Sequence, residues 1–287
     1  MPREIVSEGV RSLLAGRCLQ LLRCRTRAVA TADADSVHDL RVAARRLEEA
    51  LRLLEGALPR RASRRLKRRA RKVRRGLGPI RNADVMASLM SRLARRPGAA
   101  DRDTMRAMAA RFATDAAELR RRARTSGGLR VPGVRGRVQA VLRASSAGPA
   151  PTLRRTREAV ALRRRAFLEA LPAARTGGEE ELHALRIVVK KYRYTLEILH
   201  QLGDGRLRAA IASARALQTE LGELHDLDLL MVRVRRDREG SAASRDRVLA
   251  QLRAERSRRL RGVLRAIDRF RPDHAPSTGA RRREAAA

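Results

Sequence analysis

Tryptophan is absent from these 287 residues, and aromatics make up only 2% of them. Leu, Ala and Val must then fill the core, which suits helices better than sheets. No stretch alternates β-branched and polar residues, so the chain is predicted to be all-α. With two Tyr and three Phe, it also lacks the ring platforms on which single-strand binders stack bases. Cysteine is nearly missing. Cys18 and Cys24 stand about 9 Å apart along one helix by its rise, beyond disulfide reach, and two cysteines make no metal framework. No apolar run is long enough to span a bilayer, and no signal-peptide segment opens the sequence. The expectation is a reduced, cytoplasmic protein. Acid is scarce as well: 31 Asp and Glu face 67 Lys and Arg, a formal charge of +36. Charge of that size repels itself and implies a polyanionic partner: nucleic acid, an anionic lipid surface or a phosphate polymer. The excess is mostly Arg, whose planar fork holds phosphate oxygens in pairs.

What is present is organised around residues 37–54. At helical spacing, Val37, Leu40, Ala44, Leu47, Leu51 and Leu54 form an apolar face. His38, Arg41, Arg45 and Arg52 form a cationic stripe beside it. Cations rooted next to a core face are held rigid at their base, as a charged ligand requires. The stretch recurs at 182–199, where His183, Arg186, Lys190 and Lys191 fall on His38, Arg41, Arg45 and Arg46. Downstream, Leu77-Gly78-Pro79-Ile80-Arg81-Asn82-Ala83-Asp84-Val85 matches Leu221-Gly222-Glu223-Leu224-His225-Asp226-Leu227-Asp228-Leu229. Two ordered blocks repeated together predict an internal duplication of roughly half the chain.

The predicted order is a helix over 5–30, then the organising helix, capped by Ser36 and closed by Gly56 and Pro59. An Arg-dense helix over 60–76 keeps Leu66, Ala70, Val73 and Leu77 as a narrow core stripe. Its other faces carry Arg64, Arg68, Arg71, Lys72 and Arg75, like charges that a bound polyanion would relieve. A helix starting at Asn82 or Asp84 and another over 101–124 complete a first half, about 5–124. A Gly-, Pro- and Ser-rich linker over about 125–151 follows. The second half, about 152–272, holds helices at 152–171 (Leu153, Val160, Leu162, Phe167 and Leu168 available for the core), 179–201, 205–221, 226–238 and 242–270. Residues 273–287 are expected to be a disordered tail.

His38 and His183 each open a helix and precede an Arg by three; either phosphate contact or a structural role fits them. His38, His183, His225, Asp84, Asp226 and Asp228 include no recognised metal spacing, and the surrounding arginines oppose a bare cation. Asn82 and Asp226 read as helix N-caps, and Asp84 and Asp228 as partners for arginines. No catalytic residue, metal or other cofactor is predicted.

The paired blocks HDLRVAARR with LGPIRNADV, and HALRIVVKKYRY with LGELHDLDL, resemble the CHAD family, the conserved-histidine α-helical domain, from about residue 8 to residue 270. The resemblance implies two helical bundles related by a pseudo-twofold axis, forming one unit with a basic central groove or pore. It implies binding of long-chain inorganic polyphosphate, with His38, Arg41, Arg45 and Arg46 matching in the first copy. His183, Arg186, Lys190, Lys191, Arg193 and Tyr194 match in the second, and Arg81 and His225 occupy equivalent places in the later block. Asn82 departs from the pattern by standing where Asp226 stands. No triphosphate-tunnel domain, which often accompanies the family, fits within these residues.

The functional expectation is therefore non-catalytic polyphosphate binding, with association to polyphosphate granules as a corollary. The alternatives are a protein that binds nucleic-acid backbone, or a metal-dependent phosphohydrolase.

Overall fold

The computed structural model describes residues 2–55, 58–99, 101–126, 129, 133–144, 153–203 and 205–270. The predicted tail, 273–287, and much of the predicted linker lie outside them. Among the described residues the chain is helical without strands. The helices are α1 (Pro2–Thr31), α2 (Ala34–Leu53), α3 (Arg60–Gly76), α4 (Gly78–Ala94), α5 (Arg102–Thr125) and α6 (Val134–Ala144). They continue as α7 (Leu153–Arg175), α8 (Glu179–Gln201), α9 (Arg208–Arg236) and α10 (Ala242–Arg269), with a 3-10 turn at Gly205–Leu207 before α9.

Three apolar cores follow from the periodicities. The first joins α1, α2, α3 and α6 through Leu14, Leu21, Leu40, Leu47, Leu66 and Val141. The second joins α7 and α8 to the first half of α9 and the second half of α10, through Phe167, Leu185, Tyr192, Leu221 and Val263. The third joins α4 and α5 to the far ends of α9 and α10, through Met90, Met105, Phe112, Leu230 and Leu252. Helices α2 and α8 also touch each other, as do α4 and α9. The two motif-bearing helices thus meet between the first two cores. Every residue of the predicted apolar face on α2 is buried: Val37, Leu40, Ala44, Leu47, Leu51 and Leu54.

Several boundaries differ from expectation. The N-cap of α2 is Asp33, whose carboxylate accepts from the Ser36 backbone N–H at 2.6 Å. Ser36 sits inside the first turn, because an N-cap side chain reaches two or three residues forward. Helix α4 starts at Gly78, not at Asn82 or Asp84, since Pro79 needs no hydrogen-bonded N–H in a first turn. The equivalent break is absent in α9, which runs unbroken through Leu221-Gly222-Glu223. Glu223 keeps the N–H that Pro79 lacks, so the hydrogen-bond ladder continues. Asn82 and Asp226 consequently lie inside helices and cap nothing. Within the predicted linker, Val134–Ala144 forms α6, with Val134, Val138 and Val141 buried. Leu162 and Leu168 are exposed at 60% and 41%. Phe167, Val160 and Ala174 take the core side of α7 at a seven-residue step, leaving those two leucines rotated away.

Candidate functional site

The surface where α2 faces α8 is built from residues at matching helical steps. From α2 come His38, Arg41 and Arg45; from α8 come His183, Arg186, Lys190 and Tyr194. Arg74 of α3, Arg81 of α4, and His225 and Asp226 of α9 close around them. These groups act on one another directly. The Arg41 guanidinium is pushed down to about 10, first by burial and then by Arg45, Arg81, Arg74 and Arg186. Lys190 falls to about 7, again chiefly by burial, with Arg45, Arg186 and Arg74 adding to it and Glu49 opposing. Burial also lowers Arg186, with Arg81 and Arg45 adding and Asp226 opposing. Like charges on α2, α3, α4 and α8 therefore converge on one place, and the apo protein bears the cost of holding them there.

The carboxylates present are too few to neutralise that cluster. Asp226 accepts from both Arg81 guanidinium Nη atoms at 2.9 and 3.0 Å. Glu48 takes Arg74 Nε at 2.7 Å. Glu49 is held by Arg52 at 2.6 and 2.9 Å. Arg41 Nε and Arg186 Nε are buried without any hydrogen-bond partner among the described residues, as are Arg17, Arg25 and Arg46 Nε outside the cluster. Arg41 and Arg186 are the two that act on each other across α2 and α8. A buried donor left unpaired costs about 1–3 kcal/mol, and one from each facing helix marks where an acceptor-rich ligand would fit. Tyr194, itself buried, lies beside Arg45 and favours its charged form.

The histidines frame the cluster. His38 is open to solvent, and its pKa is lowered by the protein packed against its ring and then by Arg81. His183 is also exposed and stands with its ring centroid 4.8 Å from that of His225. Burial, then Arg186 and His183, push His225 down to about 4. Among the described residues no three of His, Cys, Asp and Glu gather as metal ligands would. Cys18 and Cys24 are free thiols, and burial pushes Cys18 up to about 12.

The predicted site residues thus divide. His38, Arg41, Arg45, Arg81, His183, Arg186, Lys190, Tyr194 and His225 come together. Arg46 and Arg193 turn to the buried Glu197, at 3.5 and 3.0 Å. Arg17 and Arg215 reach the same carboxylate at 4.0 and 3.7 Å. Arg193 also donates to Gln218 and lies over the Tyr194 ring at 4.5 Å. Arg52 is taken by Glu49, and Lys191 is rotated roughly 100° round α8 from Lys190. On α3, Arg64 pairs with Glu55 at 3.7 Å. Arg71 and Arg75 stand exposed on the crest, and Arg68 and Lys72 lie on the flank toward α6. Asp84 and Asp228 do hold arginines, Arg120 and Arg256. Arg74 was not singled out by the motifs. Its signal is its step of one after Val73, which turns it from the core stripe toward α2.

An all-helical protein with a cationic surface between two motif-bearing helices defines a fold class, and the comparisons agree with it. A family model described as the CHAD domain matches residues 13–235. The chain belongs to the CHAD family. It is similar to the crystal structure of the CHAD domain from the plant Ricinus communis, with 21% identity and a TM-score of 0.73. That match covers 95% of this chain and 93% of the plant one. It is also similar to PptA from Streptomyces chartreusis, with 14% identity, a TM-score of 0.65, and coverage of 91% and 97%. No curated protein matches the sequence. Among the described residues no helix is long and apolar enough to cross a membrane.

Proposed function

We propose that this chain binds long-chain inorganic polyphosphate on the α2–α8 surface, without turnover, and so attaches to polyphosphate granules. Membership of the CHAD family and the net charge support a role connected with polyphosphate. The observation that carries the finer reading is the pair of buried, unpartnered donors, Arg41 Nε and Arg186 Nε, facing one place from separate helices. Phosphate oxygens are acceptors only, and a polyphosphate chain has no bases to read. Rigid cations in register then suffice, and affinity falls steeply with salt.

The test is the quadruple variant R41Q/R45Q/R186Q/K190Q in filter binding to long-chain polyphosphate, with far-UV circular dichroism as the fold control. The expected outcome is a loss of at least about a hundredfold, given roughly 1.5–3 kcal/mol for each charged hydrogen bond removed, with helicity retained. Unchanged affinity sinks the reading. Duplex DNA that displaces the polymer at equal phosphate concentration would transfer the surface to nucleic-acid backbone. Phosphate release with Mg²⁺ or Mn²⁺ would make it an active site.

A further inference from the structure

The cations of α3 do not all belong to the α2–α8 surface. At about 100° per residue, Arg65, Arg68, Arg69 and Lys72 sit roughly 120–220° round the helix from Arg74. They face α6, and together with Arg137 they line an open basin of about 380 Å³. Arg65, Arg68 and Lys72 are exposed.

The two flanks of α3 differ in counter-charge. Glu48 serves Arg74, and Glu55 serves Lys67 and Arg64. Among the described residues no carboxylate pairs with Arg65, Arg68, Arg69 or Lys72. Four neighbouring cations on one helix face oppose helix formation by a few tenths of a kcal/mol per pair. On α5, by contrast, neighbouring arginines are met by an acid: Arg121 and Arg122 both pair with Glu118. The fifth cation is placed rather than loose. Gly133 has φ 68°, and the Arg137 guanidinium fills the space where its Cβ would stand. A side chain at 133 would expel that guanidinium from the rim.

We propose that the basin between α3 and α6 is a second phosphate-binding site, distinct from the α2–α8 surface, which grips a further stretch of the same linear polyphosphate. The identity of the ligand rests on the reading of this chain as a polyphosphate binder; the basin itself does not need the central surface to bind. A polymer has only to cross α3, about 10–12 Å wide with its side chains, to touch both sites. Arg71 and Arg75, exposed on the crest, mark that crossing. Two sites on one flexible ligand raise the effective concentration of the second contact, so long chains bind more tightly than short ones of the same charge density.

Three variants separate the outcomes: R65Q/R68Q/K72Q in the basin, R41Q/R45Q/R186Q in the centre, and R253Q/R261Q/R265Q on the exposed face of α10 as a control of equal charge loss. Each is titrated calorimetrically with tripolyphosphate, and with long-chain polyphosphate across salt concentration. The wild type is expected to take two tripolyphosphates, and the basin and central variants one each. The basin variant should bind the long chain about tenfold more weakly, with a salt slope shallower by about two. The α10 control should change neither the stoichiometry nor the affinity for the long chain by more than about twofold. The glutamines remove repulsion from α3 and touch no core residue, so circular dichroism should match the wild type. A basin variant with wild-type stoichiometry, affinity and slope overturns the proposal, as does a loss equal to that of the α10 control. Loss in the basin variant with none in the central variant would sink the central reading and leave the basin standing.

Discussion

Arg81 and Asp226, 145 residues apart, meet in a two-pronged ion pair inside the cationic cluster, at 2.9 and 3.0 Å. In the aligned blocks Arg81 stands opposite His225, and Asp226 opposite Asn82. The pair is therefore made once: an arginine from the first block with the aspartate of the second. Asn82 carries no charge, so that place supplies no second carboxylate. Asp226 cancels part of the repulsion felt by Arg186.

The variant D226N should move stability and affinity in opposite directions. The unliganded protein loses about 2–3 kcal/mol, since the pair is largely buried and removing one partner leaves an uncompensated charge. Polyphosphate affinity rises several-fold, because Arg81 is released to the ligand. Urea denaturation and filter binding on the same protein check both signs. A fall in both quantities would show that Asp226 positions Arg81 rather than competing for it.

Lys190 should make polyphosphate binding depend on pH. Its folded value is about 7 against an ordinary 10.5, so between those values the unfolded chain holds more proton than the folded one. Stability of the free protein therefore rises with pH across that window, and the full cost of the charge is present below pH 7. Polyphosphate favours the ammonium form and draws a proton in on binding. Affinity should fall as pH rises from 7 toward 9, as the Lys190 ammonium, flanked by Arg45, Arg186, Arg74 and Glu49, gives up its proton. The variant K190R should flatten that fall. Calorimetry in buffers of different ionisation enthalpy reads the proton uptake; wild-type binding with none removes Lys190 from the site.

The motif stripes were legible because periodicity ties each cation to a core position one step away, as Arg41 is tied to Leu40 and Arg186 to Leu185. What each cation touches was not, because the partner comes from elsewhere in the chain. Arg46 and Arg45 look alike in sequence, yet one turns to Glu197 and the other to the open cluster. The hint was Glu197 itself, an acid inside the apolar run Leu196-Glu197-Ile198. The continuity of α9 was hidden for a different reason. Gly222 stands at the place of Gly78 when the two blocks are aligned, and Pro79 against Glu223 decides whether the helix stops.

His225 carries a prediction confined to acid pH. It is held near 4 against an ordinary 6.5, with Arg186 and His183 opposing its proton and Asp226 and Asp228 favouring it. The unfolded chain binds more proton between those values, so this residue makes the fold less stable as pH falls from 6.5 toward 4. Thermal unfolding of H225Q should lose less stability over that interval than the wild type does. Parallel curves would mean that His225 titrates normally beside His183.

Glu197 gathers the arginines that lie outside the α2–α8 cluster. Its carboxylate is buried, with Arg193 at 3.0 Å and Arg46, Arg215 and Arg17 at 3.5, 3.7 and 4.0 Å. Arg17 lies on α1, Arg46 on α2 and Arg215 on α9, so one acid ties three helices to α8. Replacing it with Gln leaves buried guanidinium groups facing each other, and breaking such a cluster costs about 3–5 kcal/mol. E197Q should lower the urea midpoint sharply, whereas R41Q/R186Q should leave it unchanged or raise it by removing repulsion. For polyphosphate the order reverses: at a temperature where E197Q remains folded, its affinity stays within about threefold of wild type, and R41Q/R186Q loses most of its binding. Equal losses of affinity in the two variants would mean that Arg46 and Arg193 serve the ligand after all.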